Sequence, residues 1–204
     1  MKIKVIIMSI LVVICMSLSI NFLDAKNKKI DLTSCQNWLK KLGRDFSIDE
    51  LKELNSLSLY GKEIKDEDLI YLTSLSNLEE LNLSYTKITD AGLIHLKDIK
   101  KLKMLIIGKN KITGSGFKVL ANLNNLNYLQ LNYLKLTNEG LINLKLLKSV
   151  RLLFLDYTPL TDASLIHLKD LKHLEFLSIS NTKISDNGKL RLKLTIPHVK
   201  IFKK

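Results

Sequence analysis

Four histidines, two cysteines and a few recurring aspartates are the residues of this chain whose types suit chemistry rather than packing. His95 and His167 occupy the same place in two copies of one phrase, "LIHLKD" at 93–98 and at 165–170. The copies lie three repeat lengths apart. Strands stack at about 4.8 Å, so these two rings would stand roughly 15 Å from each other and cannot share a metal ion. His173 follows His167 by six residues and His198 lies near the end of the chain, so no spacing matches a zinc site. Asp90 and Asp162 each follow a threonine where a helix should start, and capping of that helix accounts for them. Gly108, Gly114 and Gly116 lack the phosphate-loop pattern, and the last two are expected to loosen the start of a helix. No nucleophile, base and orienting group can be assembled. The reading is of a chain without catalysis, cofactor or metal.

The elements that would position any site are set by a repeat. Leu54, Leu78, Leu102, Leu126, Val150 and Leu174 recur at a constant step of 24. In phase with them run Leu57 to Leu177, Leu59 to Ile179, Ile64 to Ile184 and Leu69 to Leu165. A period in the twenties with L-x-x-L-x-L marks a solenoid in which each unit buries its apolar side only against its neighbours. Within a unit, "LEELNLS" alternates as a half-buried strand does. "DAGLIHLKDIKKL" places Leu93, Leu96 and Ile99 at helical intervals, with Asp90 or Thr89 as its cap and Lys97, Lys100 and Lys101 at its far end. At the ninth position stand Lys62, Thr86, Asn110, Leu134, Thr158 and Thr182. The threonines can bond backbone, whereas Leu134 interrupts that ladder in the fourth repeat.

The wording "ITDAGL" at 88–93, "LTNEGL" at 136–141 and "LTDASL" at 160–165 resembles bacterial leucine-rich repeat proteins with 24-residue units. It is also similar to the cysteine-containing repeats found beside F-boxes, although the repeats here lack those cysteines and too few residues precede them for an F-box. The resemblance implies an α/β leucine-rich repeat solenoid, a right-handed curved horseshoe arc with a parallel β-sheet on its concave face and helices on its convex face. It covers about residues 54–201 and does not name a ligand, since one fold hosts many functions. Residues 26–53, with Leu32, Trp38, Leu39, Leu42 and Leu51, are expected to cap the first repeat in short helices. The repeats run over 54–188. Residues 189–204 form a second cap, in which Pro197 stops a helix and Val199 and Ile201 supply a final strand.

On the concave face the third position of each repeat carries Ser56, Glu80, Met104, Tyr128, Leu152 and Phe176. The fifth carries Ser58, Asn82, Ile106, Gln130, Phe154 and Ser178, and the eighth Gly61, Tyr85, Lys109, Tyr133, Tyr157 and Asn181. The later repeats therefore turn Met104, Ile106, Tyr128, Leu152, Phe154 and Phe176 outward, flanked by Tyr133 and Tyr157. A patch of roughly 400 to 600 Å² is at the size where exposed apolar surface marks a binding site. Its burial would contribute on the order of 10 to 15 kcal/mol, against association costs of about 4 to 15 kcal/mol. These eight residues are the candidate site for a protein partner of unknown identity, with self-association as the alternative.

The start of the chain reads separately. Lys2 and Lys4 precede an uncharged run from Val5 to Ile20, and Asp24-Ala25 follows, which is the pattern of an export signal over residues 1–25. Cleavage after Ala25 is the first choice and after Ser19 the second; retention as a membrane anchor is the alternative. Ile14 before Cys15 departs from the lipoprotein pattern. After cleavage Cys35 is the one cysteine left, so no internal disulfide forms. The protein is expected in the periplasm, at the cell surface or secreted, touching membrane only through an uncleaved N-terminal segment. The formal net charge is +12, carried almost wholly by lysine, with Arg44, Arg151 and Arg191 the only arginines. Lys87, Lys111, Lys135 and Lys183 share the tenth position, and Lys100, Lys101 and Lys103 cluster at a helix exit. Such lysines give a diffuse field suited to anionic glycans or head groups, which defines the second functional reading; nucleic acid is excluded by export.

Overall fold

A computed structural model of the chain describes residues 30–204. The expected export signal and Cys15 lie outside the described residues. The described residues open with helix α1 (Leu32–Lys41). Its N-cap Asp31 accepts from the Ser34 amide at 2.7 Å. Helix α2 (Ile48–Glu53) starts on a capping box in which Ser47 and Glu50 each accept the other's backbone N–H. Both helices lay apolar residues against the first repeat. Trp38 stacks on Tyr71 at 5.3 Å, and Cys35 is fully buried beneath them. Burial pushes the Cys35 thiol up, with a bond to Ser74 opposing it.

Seven three-residue strands follow: β1 (Ser56–Ser58), β2 (Glu80–Asn82), β3 (Met104–Ile106), β4 (Tyr128–Gln130), β5 (Leu152–Phe154), β6 (Phe176–Ser178) and β7 (Lys200–Phe202). They form one parallel sheet in chain order, each strand paired with the strand 24 residues on, as in Leu57↔Leu81 and Leu81↔Leu105. The middle residue of β1 through β6 is a buried leucine, and the leucines or isoleucines two places later are buried too. Stacked at strand spacing they form a continuous aliphatic spine, which holds up neighbours that have no core of their own.

The return segments differ from the expected α-helices. Four are 3₁₀ turns, Asp66–Ser74, Gly92–Leu96, Ser115–Asn122 and Asp162–His167. Only α3 (Asn138–Leu144) and α4 (Asp186–Thr195) are α-helical. In the 3₁₀ segments the buried side chains step by three. Leu69, Leu72 and Leu75 are buried, as are Leu93, Leu96 and Ile99, and Phe117, Leu120 and Leu123. A step of three suits the three residues per turn of a 3₁₀ coil, but Leu141, Leu144 and Leu147 in and after α3 keep the same step and are buried too, so the spacing does not separate the two forms.

The recurring aspartates do not cap their own segments as expected. Each clamps the next repeat. Asp66 accepts from the Thr89 amide and hydroxyl at 2.7 and 2.5 Å. Asp90 accepts four bonds of 2.7 to 2.9 Å, from Thr113 amide and hydroxyl and from the amides of Gly114 and Gly116. Asp162 accepts from Ser185 amide and hydroxyl. Partial burial works against the charge of Asp90, but the bonds from Gly116, Thr113 and Gly114 outweigh it and hold the carboxyl below its ordinary range. Gly114 and Gly116 therefore do not loosen this segment. A Cβ at Gly116 would stand 2.5 Å from the Asp90 carbonyl oxygen, so the missing side chain is what lets the two repeats close.

At the ninth position the hydroxyls of Thr86, Thr158 and Thr182 donate to the carbonyls of Leu83, Leu155 and Ile179. Asn110 reaches further and donates to both Leu83 and Ile107. Leu134 is buried and its side chain makes no such bond, which breaks the polar ladder in the fourth repeat.

Candidate functional site

Strand residues of alternate parity point away from the spine, and the parallel register sets them in rows. Met104, Tyr128, Leu152 and Phe176 are direct neighbours in one row, and Ile106, Gln130, Phe154 and Ser178 in the next. All but the buried Ser178 are half-buried. Phe154 joins the rows. Its ring centroid lies 4.9 Å from that of Tyr128 and 5.4 Å from that of Phe176, at offset angles that favour aromatic pairs. Burial raises the Tyr128 phenol, and its hydroxyl donates to Gln130 Oε1 at 3.4 Å. Beyond Phe176 the surface dips into a depression lined by Leu152, Phe154, Glu175, Phe176, His198 and Lys200. The first two repeats are polar in the same rows, where the Ser56 hydroxyl donates to Glu80 at 3.0 Å.

Tyr133 and Tyr157 stand apart from this patch, on the turn that leaves each strand. They stack on each other at 4.3 Å with planes 8° apart. Tyr60 and Tyr85 pair at 4.9 Å further up the same edge. Lys109 bridges the two pairs, its Nζ 4.3 Å from the Tyr85 ring centroid and 5.7 Å from that of Tyr133, within cation–π range. All four tyrosines are exposed. Among the described residues no ring contact links this edge to the strand patch. Sequence reasoning grouped Tyr133 and Tyr157 with the strands and passed over Tyr60.

The eighth position has a backbone signature that explains its residues. Gly61, Tyr85, Lys109, Tyr133, Tyr157 and Asn181 all have φ between 53° and 70°. Few L-residues adopt that left-handed region, and asparagine and glycine do so most readily. Gly61 and Asn181 in one column were the sign of it in the sequence.

Charge separates along the stack. Residues 30–99 carry 8 Lys or Arg against 13 Asp or Glu, a net of −5, and residues 100–204 carry 19 against 6, a net of +13. The apolar patch lies in the basic part. Several lysines singled out from the sequence are already engaged: Lys87 with Glu63, Lys103 with Glu79 at 2.7 Å, and Lys101 with the Asn77 side chain at 2.6 Å. Arg151 and Glu175 pair beside the depression. No group of three or more His, Cys, Asp and Glu able to hold a metal occurs among the described residues.

A family model described as Leucine Rich repeat matches residues 74–97. No curated protein sequence matches the chain. Among solved structures, a leucine-rich repeat protein of Leptospira interrogans superposes with a TM-score of 0.52 at 23% identity, over 76% of this chain and 50% of that one. The functional domain of InlJ from Listeria monocytogenes, which includes a cysteine ladder, gives a TM-score of 0.52 at 21% identity, over 78% and 31%. An internalin of Listeria monocytogenes matches at 20% identity and a TM-score of 0.43, over 72% of this chain and 53% of its own. The chain thus spans about half or less of each of these proteins. The first two likenesses bear on fold, and with the 24-residue register they establish a leucine-rich repeat solenoid.

Proposed function

We propose that this leucine-rich repeat chain is an exported, non-catalytic module that captures a protein partner on its sheet side. The observation that carries the reading is the apolar surface of half-buried side chains from Met104 to Phe176 around Phe154. Its partner must offer apolar side chains to the rows. The basic character of residues 100–204 favours a partner that is acidic around that contact, because complementary charge speeds encounter and selects orientation. Export rests on the pattern of residues 1–25, and an N-terminal mass of secreted material tests it.

Capture from an envelope extract by wild-type chain and by the Phe154→Ser/Phe176→Ser double variant tests the binding site. A partner held by the apolar rows stays bound at about 0.5 M salt, where the screening length is only a few ångströms, and is lost from the double variant. Equal capture by both chains overturns the reading. Capture that collapses with salt and ignores the two phenylalanines supports the second reading, in which exposed lysines hold an anionic surface.

A further inference from the structure

The most exposed aliphatic side chains are not on the sheet side. Ile94, Ile142, Leu146, Ile166, Leu190 and Leu194 are 38% to 76% exposed and all lie on the return segments, Ile94 set apart from the others by Lys118. Ile142, Ile166 and Leu190 share one column at steps of 24, while Leu146 lies just past the end of α3 and Leu194 stands one turn further along α4. The three segments pack side by side, with Asp162–His167 between the two helices. Their buried leucines, Leu141, Leu144, Leu165, Leu168 and Leu192, face the spine, so the exposed set forms a separate outer ridge.

Three residues after each member of the column comes a lysine: Lys145, Lys169 and Lys193. The side chain of none of the three is in an ion pair or hydrogen bond with a described residue. The third repeat places Lys118 in the column instead, so the ridge is continuous only from Ile142 onward, inside the +13 part of the chain. Among the described residues Asp162, Asp170 and Asp186 lie close to it; Asp162 accepts from Ser185 and Asp186 is paired with Lys189.

We propose that this ridge docks on an anionic lipid surface, with the aliphatic column entering the acyl boundary and the lysines resting among the head groups. Unbranched lysine stems can lie along apolar side chains and hold their charge outward, which suits an interface between oil and anion. A protein-binding hot spot would instead carry Trp, Tyr and several Arg, and this surface has Arg191 alone. The contact is independent of the sheet-side site, and it uses lysines other than those whose affinity for head groups the sequence suggested.

The test places a reporter in the ridge. Trp38 is the only tryptophan and is buried, so Ile166→Trp in the full chain adds one exposed fluorophore over a constant background. On phosphatidylcholine vesicles with about one-third phosphatidylglycerol, its emission should shift blue and be quenched by brominated acyl chains. Lys145→Gln/Lys169→Gln/Lys193→Gln should weaken this partition by about tenfold or more, and Phe154→Ser/Phe176→Ser should leave it unchanged. If the chain sediments with the vesicles while the new tryptophan stays at its aqueous wavelength, the N-terminal segment alone holds it and the proposal fails. It fails equally if there is no shift on anionic vesicles, or the same shift on pure phosphatidylcholine. Leu194→Trp, at the most exposed position, repeats the measurement should Ile166→Trp unfold the chain by circular dichroism.

Discussion

Tyr133 and Tyr157 stack face to face, their centroids 4.3 Å apart, while each holds its backbone at a φ near 60° that bulky residues seldom adopt. The turn demands the left-handed conformation, and the rings recover part of its cost by packing on one another. Tyr133→Asn removes the ring but suits the backbone, as Asn181 does in the same column. Aromatic pairing of about 0.5 to 1.5 kcal/mol is then offset by relief of a similar conformational cost. Chemical denaturation should find Asn at Tyr133 within about 1 kcal/mol of wild type and Val, a β-branched residue, about 2 kcal/mol worse. Equal stability of the two variants would mean that the turn does not impose its conformation.

Asp90 ties two repeats together with one carboxylate. Asp90→Asn keeps the size but removes the charge and part of the acceptor capacity, and should cost about 1 to 2 kcal/mol at pH 7. The pH dependence follows from its lowered pKa. A carboxyl whose pKa is depressed on folding contributes fully above the unfolded value, near 4, and loses that contribution as pH falls through the folded one. The gap between wild type and Asp90→Asn should therefore narrow below about pH 4. Stability curves at neutral and acid pH measure it, and a constant gap would assign the effect to shape alone.

Gly116→Ala sets a methyl group 2.5 Å from the Asp90 carbonyl oxygen. That oxygen is backbone and cannot swing away, so the two repeats must part. A loss of about 2 kcal/mol or more, of the order found for overpacked interiors, is expected in urea denaturation. A neutral result would show that the interface has slack.

Leu153 and Phe154 are neighbours with opposite duties. Leu153 is fully buried in the spine and Phe154 faces out beside Tyr128. Leu153→Ala should lower stability by about 2 to 5 kcal/mol. Phe154→Ser, which gives up two ring contacts on a half-buried surface, should cost about 1 to 2 kcal/mol while abolishing capture of the partner. Thermal melts of both, run beside the capture assay, separate a folding defect from a lost contact.

The period of 24 was sufficient to establish the stack of parallel strands, because coils that share one spine must repeat its spacing. It also put Met104, Leu152, Phe154 and Phe176 on the outward rows, since strand side chains alternate and a parallel register carries that parity from repeat to repeat. The α or 3₁₀ character of the return segments was harder to read. Leu93, Leu96 and Ile99 in and after a 3₁₀ turn and Leu141, Leu144 and Leu147 in and after α3 share one buried step of three, so the apolar pattern is the same for both forms.

Other features belong to the tertiary structure alone. Asp90 finds its partners 23 to 26 residues away, in the next coil. The left-handed turn that aligns Tyr133 with Tyr157 comes from the strand's exit, not from the propensity of tyrosine. The ridge of Ile142, Ile166 and Leu190 exists because helix and 3₁₀ turn leave one column outside the core. Sequence spacing states which residues recur. What each one touches depends on the neighbouring coil, and that partner is present only once the coils are stacked.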